Sequence, residues 1–151
     1  MVTVSPRQRL KDKVRMNQCL ELAQLSTCFR RQVACIIVDR QGRILSEGYN
    51  GVERGAKHCT ESNCPRANAP SGTALDACMA LHAEQNALLN LKEPDRAHTL
   101  YCTTAPCIHC IKQLSNTALE RIVFLEDYPH SADSRLHWLK KPNRKWEKLN
   151  D

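Results

Sequence analysis

The chain has 151 residues, of which 42% are hydrophobic and 25% are charged, a balance typical of globular proteins and not of disordered ones. This length predicts a single domain over residues 1–151 with a hydrophobic core of its own. The longest apolar run, Val33 to Val38, has six residues, whereas a membrane-spanning helix needs roughly 20. Residues 1–15 are too polar for a signal peptide, so we expect a cytoplasmic protein.

The net charge of +6 is unevenly distributed along the chain. Residues 1–31 carry +5 and residues 137–151 carry +3, whereas residues 32–136 carry −2. A protein that binds nucleic acid concentrates positive charge where it binds. The negative central region therefore argues against a nucleic-acid partner, and the basic ends are interpreted as solvated helix faces.

The first predicted elements are a long helix and a hairpin. Apolar residues that recur every three or four positions predict a helix over Pro6–Thr27, with Pro6 near its start. β-branched and apolar residues predict a strand over Val33–Asp39, which a turn at Gln41-Gly42 connects to a second strand over Arg43–Tyr49. The loop that follows, residues 50–77, is long enough to indicate a functional segment or one pinned by other groups.

The elements after the loop alternate between helix and strand. We predict helices over Cys78–Lys92, Cys107–Leu119 and Ala132–Lys140, and strands over Thr99–Thr103, Arg121–Glu126 and, at a sheet edge, Lys145–Leu149. Helices that alternate with strands after a hairpin indicate an α/β fold with a mixed sheet and helices on both of its faces.

Two short motifs lie at the starts of predicted helices. They are His82-Ala83-Glu84 and Pro106-Cys107-Ile108-His109-Cys110. One histidine and two cysteines supply three zinc ligands and leave a fourth position open, which is typical of catalytic zinc sites. Helix N-termini also favour thiolates. Glu84 is then free to act on a water whose pKa zinc lowers to about 7. The alternatives are a closed zinc site that only joins two helices, or a redox C-x-x-C pair.

The chain contains nine cysteines, an odd number without a predicted export signal, which argues against a disulfide framework. Seven of them lie outside the His82, Cys107 and Cys110 group, and four of these seven are Cys28, Cys59, Cys64 and Cys78. These four could bind a structural zinc that orders the 50–77 loop, with His58 replacing one of them, or some of them are free buried thiols. Three others fall in predicted core elements and are interpreted as buried hydrophobic residues: Cys19, Cys35 and Cys102.

The combination H-x-E and P-C-x-x-C is the signature of zinc-dependent nucleobase deaminases. The chain resembles the deoxycytidylate (dCMP) deaminase family, especially its bacterial and phage branch, from about residue 16 to residue 130. The segments that carry the resemblance are 26–33, 48–51, 59–66, 78–87 and 106–110. Among them, Gly48-Tyr49-Asn50-Gly51 and its distance from His82 point to deoxycytidylate.

The resemblance implies a three-layer α/β/α cytidine-deaminase-like fold with a mixed five-stranded sheet. It implies hydrolysis of dCMP to dUMP and ammonia, which feeds thymidylate synthesis. Matching residue by residue, it makes His82, Cys107 and Cys110 the catalytic zinc ligands and Glu84 the proton shuttle, and it places Asn50 near the deoxyribose. Some members carry a second zinc whose ligands match Cys28 and Cys59, and Cys64 and Cys78 fit as the remaining two.

Other expectations concern substrate contacts and regulation. The 5′-phosphate needs a cationic pocket, for which Arg30, Arg31 and Arg66 are candidates. Ala83 and the Tyr128 hydroxyl are further candidate substrate contacts. Family members are typically homohexamers that dCTP activates and dTTP inhibits, and magnesium would accompany such a nucleotide effector. Here Glu53 stands where the family often has proline, and its charge would repel a triphosphate that faced it.

Three alternative functions share parts of this pattern. A sister deaminase would act on tRNA adenosine or single-stranded nucleic acid, for which the low aromatic content, 5%, provides few stacking platforms. A second alternative keeps the chemistry and changes the nucleotide to dCTP, deoxycytidine or a 5-modified dCMP. The third is a zinc-stabilised nucleic-acid-binding protein without catalysis, which would leave Glu84 unexplained.

Overall fold

The computed structural model describes residues 4–28, 30–59, 64–65, 67–70, 78–129 and 131–150. Its helices are α1 (Pro6–Leu22), α2 (Ala83–Asn90), α3 (Ile108–Leu114) and α4 (Ser131–Trp138). Its strands are β1 (Ala34–Val38), β2 (Ile44–Tyr49), β3 (Thr99–Thr104), β4 (Arg121–Glu126) and β5 (Lys145–Lys148). Short 3₁₀ turns occur at Ala23–Leu25 and Pro94–Arg96. None of the helices in the described ranges is long and apolar enough to span a bilayer.

The strands form one mixed five-stranded sheet in the order β2-β1-β3-β4-β5. Strand β1 is antiparallel to both β2 and β3, whereas β3, β4 and β5 are parallel to one another. Every residue of β1 and β3 is buried, as expected for strands covered on both faces. The predicted hairpin, mixed sheet and C-terminal edge strand are therefore confirmed.

Helices cover both faces of the sheet, which confirms the three layers. Because side chains alternate along a strand, Tyr101 of β3 faces α1 and packs in one core cluster with Met16 and Cys19. Its neighbour Cys102 faces the opposite side and packs in the larger cluster beneath α2, α3 and α4. The predicted burial of three cysteines is confirmed, since Cys19, Cys35 and Cys102 are each 0% exposed.

Several predicted helix ends were wrong, because tertiary contacts stop the helices earlier than the sequence pattern does. Helix α1 ends at Leu22 and not at Thr27, whose N–H donates to the Asn50 carbonyl at 3.3 Å. The second predicted helix was placed over Cys78–Lys92, but α2 begins only at Ala83, because Leu81 pairs with Gly51 in an extended bridge.

The third predicted helix, Cys107–Leu119, is also too long. Cys107 lies just before the first turn of α3, and the helix ends at Leu114. There the Thr117 hydroxyl donates to the Leu114 carbonyl at 2.7 Å, and the Ala118 N–H donates to the Pro94 carbonyl at 3.1 Å. Both bonds direct the chain away from the helix axis.

Candidate active site

A cavity of about 320 Å³ lies where the end of β3 meets the starts of α2 and α3. Its volume is within the range of small-molecule sites, roughly 300–1,000 Å³. Its lining contains most of the residues that the sequence singled out, namely Cys28, Arg30, Arg31, Asn50, Cys78, His82, Ala83, Glu84, Cys107 and Tyr128. Other lining residues were not foreseen, among them Thr104 and Ala105. Arg66 lies outside the described residues.

Three predicted zinc ligands converge at this cavity. His82 Nδ1 lies 3.3 Å from Cys110 Sγ and 3.5 Å from Cys107 Sγ. The ligand atoms of His82, Cys107 and Cys110 all lie within 4.8 Å of one another. No other group of three or more such ligands meets that limit within the described ranges. Two thiols and one imidazole suit zinc, and three protein ligands leave the fourth position for water or substrate.

The local backbone explains why these side chains meet. Leu81 is held to Gly51 by two backbone hydrogen bonds of 2.8 and 3.1 Å. His82 is therefore extended just before α2, and its N–H donates to Gln85 Oε1 at 2.8 Å. Cys107 occupies the same position before α3, also with an extended backbone. The two helix starts present their ligands to one point.

The two thiols of this group differ in acidity. A hydrogen bond from Cys110 lowers the pKa of Cys107 to about 4, and the nearby His82 acts in the same direction against the effect of burial. The same hydrogen bond, followed by burial, raises the pKa of Cys110. Cys107 is therefore the readier thiolate, and a metal cation would favour deprotonation of both.

Glu84 lies in the first turn of α2 and is 4% exposed. Burial raises the pKa of its carboxyl group, although the charge of His82 partly opposes this. Its Oε1 accepts a hydrogen bond from the Cys102 thiol at 3.7 Å. A buried carboxylate with a raised pKa, in a cavity beside metal ligands, is suited to accept and return a proton.

The Asn50 side chain forms hydrogen bonds with the backbone in the wall of the cavity. Its Oδ1 accepts from the Val33 N–H at 2.9 Å, and its Nδ2 donates to the Arg31 carbonyl at 2.8 Å. The side chain thus fixes the backbone that presents Arg31, whose guanidinium lies 5.4 Å from the Tyr128 ring centroid. Two predicted phosphate contacts, Arg31 and Tyr128, therefore adjoin each other at the cavity.

The second group of cysteines is brought together more loosely. The Cys59 N–H donates to the Thr27 carbonyl at 2.9 Å, next to Cys28. Burial raises the pKa of Cys59, and so do the thiols of Cys28, Cys64 and Cys78. In the part of the chain that the structure describes, these four do not form a group whose ligand atoms all lie within 4.8 Å.

The sequence did not predict the contact between Cys102 and Glu84. Its pattern indicated only that Cys102 is a core residue, and the structure confirms the burial but adds the hydrogen bond. The period of two along β3 places positions 102 and 104 on one face, and Thr104 lines the cavity. If the position of the cavity had been known, the alternation of side chains along β3 would have indicated that Cys102 lies directly behind the cavity wall.

Comparison with known proteins gives consistent matches. Residues 10–126 match the family described as the cytidine and deoxycytidylate deaminase zinc-binding region. The deoxycytidylate deaminase of Schizosaccharomyces pombe is 40% identical over 110 residues, which are 70% of this chain and 34% of that protein. The enzyme of the same name from Mycobacterium phage D29 is 37% identical over 110 residues, 68% of this chain and 84% of that protein.

A solved structure matches nearly the whole chain. It is the dCMP deaminase of cyanophage S-TIM5 in complex with dCMP and dUMP, which is 26% identical with a TM-score of 0.73. The match covers 97% of this chain and 100% of that chain. By contrast, the chain spans only about a third of the length of the Schizosaccharomyces pombe relative, 34%, and of the deoxycytidylate deaminase of Saccharomyces cerevisiae, 36%. Given the family match over residues 10–126 and the group of His82, Cys107 and Cys110 within that range, the chain belongs to the cytidine and deoxycytidylate deaminase family.

Proposed function

We propose that this chain hydrolyses dCMP to dUMP and ammonia. The observation that carries the proposal is the buried Glu84 carboxylate in a cavity that His82 and Cys107 also line, two members of the three-ligand group that Cys110 completes. The structure of the cyanophage relative is a complex with dCMP and dUMP, which supports dCMP as the substrate and dUMP as the product. The family match over residues 10–126 also supports our interpretation of residues 1–151 as one deaminase domain.

Zinc, held by His82, Cys107 and Cys110, would supply a water with a pKa of about 7, acidic enough to react at neutral pH. Glu84 accepts a proton from the water that attacks C4 of the cytosine ring. The same carboxyl group passes that proton to N3. It then takes the proton of the new C4 hydroxyl and gives it to the amine, so that the C4–N bond breaks and ammonia leaves as the C4 carbonyl of dUMP forms. Because burial raises the pKa of Glu84, the carboxylate is more basic than an exposed one and can carry the proton in both directions.

The 5′-phosphate is assigned to Arg31, with Arg30 beside it and the Tyr128 hydroxyl as a further donor. All three line the cavity, and charge-assisted hydrogen bonds from guanidinium groups are the strongest contacts available to a phosphate. Asn50 is assigned to the deoxyribose, and Ala83 to the wall of the base pocket. The bonds of Asn50 to residues 31 and 33 make it a support for Arg31 as well.

We also propose a second, structural zinc bound by Cys28, Cys59, Cys64 and Cys78. The mutual influence of these thiols on the pKa of Cys59 supports it. Metal analysis of the purified protein should give two zinc ions per chain and one in Cys59→Ala. A wild-type protein with one zinc per chain would contradict the second site.

The expected hexamer, its control by dCTP and dTTP, and a magnesium ion bound with either effector stay predictions. Glu53 is exposed, so its charge is available to oppose a triphosphate at that surface. Size-exclusion chromatography combined with activity assays in the presence of dCTP-Mg or dTTP-Mg tests assembly and regulation together.

The substrate is tested by measuring ammonia release from zinc-loaded protein with dCMP, deoxycytidine, dCTP and 5-methyl-dCMP side by side. Glu84→Ala serves as the blank. Selective turnover of dCMP is the expected result. Preference for another nucleotide would keep the mechanism and change the substrate, and no turnover of any of them would contradict the proposed function.

The phosphate contact has its own test. Arg31→Ala should raise KM for dCMP by roughly 10-fold or more, the value of one charged hydrogen bond. Its effect on deoxycytidine, which has no phosphate, should be within about twofold because no charged contact is lost. Equal effects on both substrates would show that Arg31 does not bind the phosphate.

A further inference from the structure

One polar contact in the centre of the molecule has no role in the proton transfers described above. Cys102 Sγ lies 3.7 Å from Glu84 Oε1 with the geometry of a thiol donor. Cys102 is 0% exposed and does not line the cavity that Glu84 lines. It therefore contacts the carboxylate from behind, from a strand that is hydrogen-bonded on both sides in the middle of the sheet.

Cys102 remains a donor when the catalytic cysteines bind metal. Cys107 and Cys110 give up their protons as zinc ligands, whereas Cys102 is outside that group. Cys35 is its direct partner across β1 and β3, and the two thiols are hydrogen-bonded. That bond lowers the pKa of Cys102, but burial and the charge of Glu84 outweigh it, so the pKa stays above the usual value.

We propose that Cys102 is a positioning residue for Glu84: its thiol holds one carboxylate oxygen and leaves the other directed at the cavity. The inference rests on the proposed function, in which Glu84 carries the proton. A glutamate side chain has several rotatable bonds, and catalytic groups must be held within about 0.5 Å of the productive geometry. A thiol donor at a fixed position on β3 restricts the rotation of these bonds. The attachment of Glu84 to helix α2 does not restrict it by itself.

Three variants separate this role from simple packing. Cys102→Val keeps the approximate volume and removes the donor, whereas Cys102→Ser keeps a donor in the same place. Cys19→Val is the matched control, because Cys19 is equally buried on the opposite face of the sheet and its thiol contacts the Tyr101 carbonyl at 3.5 Å.

We expect Cys102→Val to lower kcat for dCMP about 10-fold, since a misplacement of about 1 Å can cost up to 100-fold. KM should change by less than about twofold, because substrate contacts are intact, and zinc content should equal that of the wild type. Cys102→Ser should recover most of kcat, and Cys19→Val should not reduce it. Wild-type kcat in Cys102→Val, or equal losses in the valine and serine variants, would overturn the proposal.

A structural measurement keeps this test independent of the substrate. Crystal structures of zinc-loaded wild type and Cys102→Val should show the Glu84 carboxylate in one position in the first and displaced or in several positions in the second. An unchanged carboxylate in the valine variant overturns the role of Cys102. If the wild type does not deaminate dCMP, the proposed function fails, and the crystal structures still decide whether Cys102 positions Glu84.

Discussion

Two buried carboxylates lie on opposite faces of the sheet, Asp12 on α1 and Glu84 on α2, with exposures of 2% and 4%. Asp12 receives two hydrogen bonds from the Arg121 guanidinium at 2.8 and 2.6 Å, one from the Tyr101 hydroxyl at 2.6 Å and one from Gln8 at 2.9 Å. Burial alone would raise the pKa of Asp12, but these bonds outweigh it and the pKa is lowered.

At Glu84 burial outweighs the opposing charge of His82, so the pKa of its carboxyl group is raised. The difference indicates what distinguishes a structural carboxylate from one that is suited to acid–base chemistry. Asp12 is charged, satisfied and enclosed, so it fastens α1 to the strands. Glu84 lines a cavity, and its carboxyl group has a raised pKa. This combination is the condition for acid–base chemistry.

The largest effect that this comparison predicts is on catalysis. Glu84→Gln should lower kcat by about 10³-fold, because general acid–base catalysis is worth about 10²–10⁴, and it should retain the catalytic zinc. Its unfolding midpoint in urea should not fall, because an amide is less costly to bury than a carboxylate. Steady-state assays, metal analysis and urea unfolding check the three parts, and substantial remaining activity would remove Glu84 from the mechanism.

The corresponding change at Asp12 should affect stability and not chemistry. Asp12→Asn should lower the free energy of unfolding by about 2 kcal/mol, since it removes one of the two carboxylates that contact the buried Arg121 guanidinium. The other, Glu147, keeps its 2.6 Å contact with Arg121 Nε. The folded protein should keep its kcat. The control is Asp127→Asn, which breaks an exposed 2.9 Å pair with Lys148 and should cost less than about 1 kcal/mol.

Helices α1 and α2 also contact the sheet in different ways. Helix α1 is fastened by Asp12, whereas α2 lies directly against Gly48 of β2, where a Cβ atom would collide with the backbone of Ala83 and Ala87. Gly48→Ala should lower stability by about 2 kcal/mol and, by displacing α2 with His82 and Glu84, should also reduce kcat.

Gly42 provides a control for that substitution. It has a φ of +88° in the β1–β2 turn, with no atom near the position of a Cβ. Gly42→Ala should therefore cost about 1 kcal/mol of backbone strain with kcat unchanged. A Gly48→Ala variant with wild-type zinc content and kcat would show that α2 tolerates the shift.

The smallest predicted effect is a pair of opposite pH dependences. The folded pKa of Asp12 is lowered, so its contribution to stability is present above the unfolded value of 3.8 and is lost as the pH falls through the folded value. The stability gap between wild type and Asp12→Asn should shrink in that acidic range.

For Glu84 the sign is reversed. Its folded pKa is raised above 4.5, so the zinc-free wild type should gain stability relative to Glu84→Gln as the pH falls through the folded value toward 4.5. Urea unfolding of the three proteins from pH 7 to pH 3 checks both slopes. The distinction between the two carboxylates would be contradicted if the stability differences between wild type and the two variants, Asp12→Asn and Glu84→Gln, changed with pH in the same direction.

The sequence was sufficient for the parts of the molecule in which a local pattern has one physical meaning. The run Val33 to Val38 specified a buried strand because apolar β-branched residues fit a covered sheet. The ends of α1, α2 and α3 were placed wrongly because pairing between distant segments, such as Gly51 with Leu81, overrides helix propensity.

By itself the sequence determined the chemistry: the donor types of His82, Cys107 and Cys110, the carboxylate beside them, and their family resemblance all follow from residue identity and spacing. Only the tertiary structure decided what surrounds each group. It placed Cys102 behind Glu84, Asn50 beneath Arg31, and Arg121 against Asp12. These contacts join strands and helices far apart in the chain, and a pKa depends on neighbours in space, so no local pattern could give the opposite pKa shifts of Asp12 and Glu84.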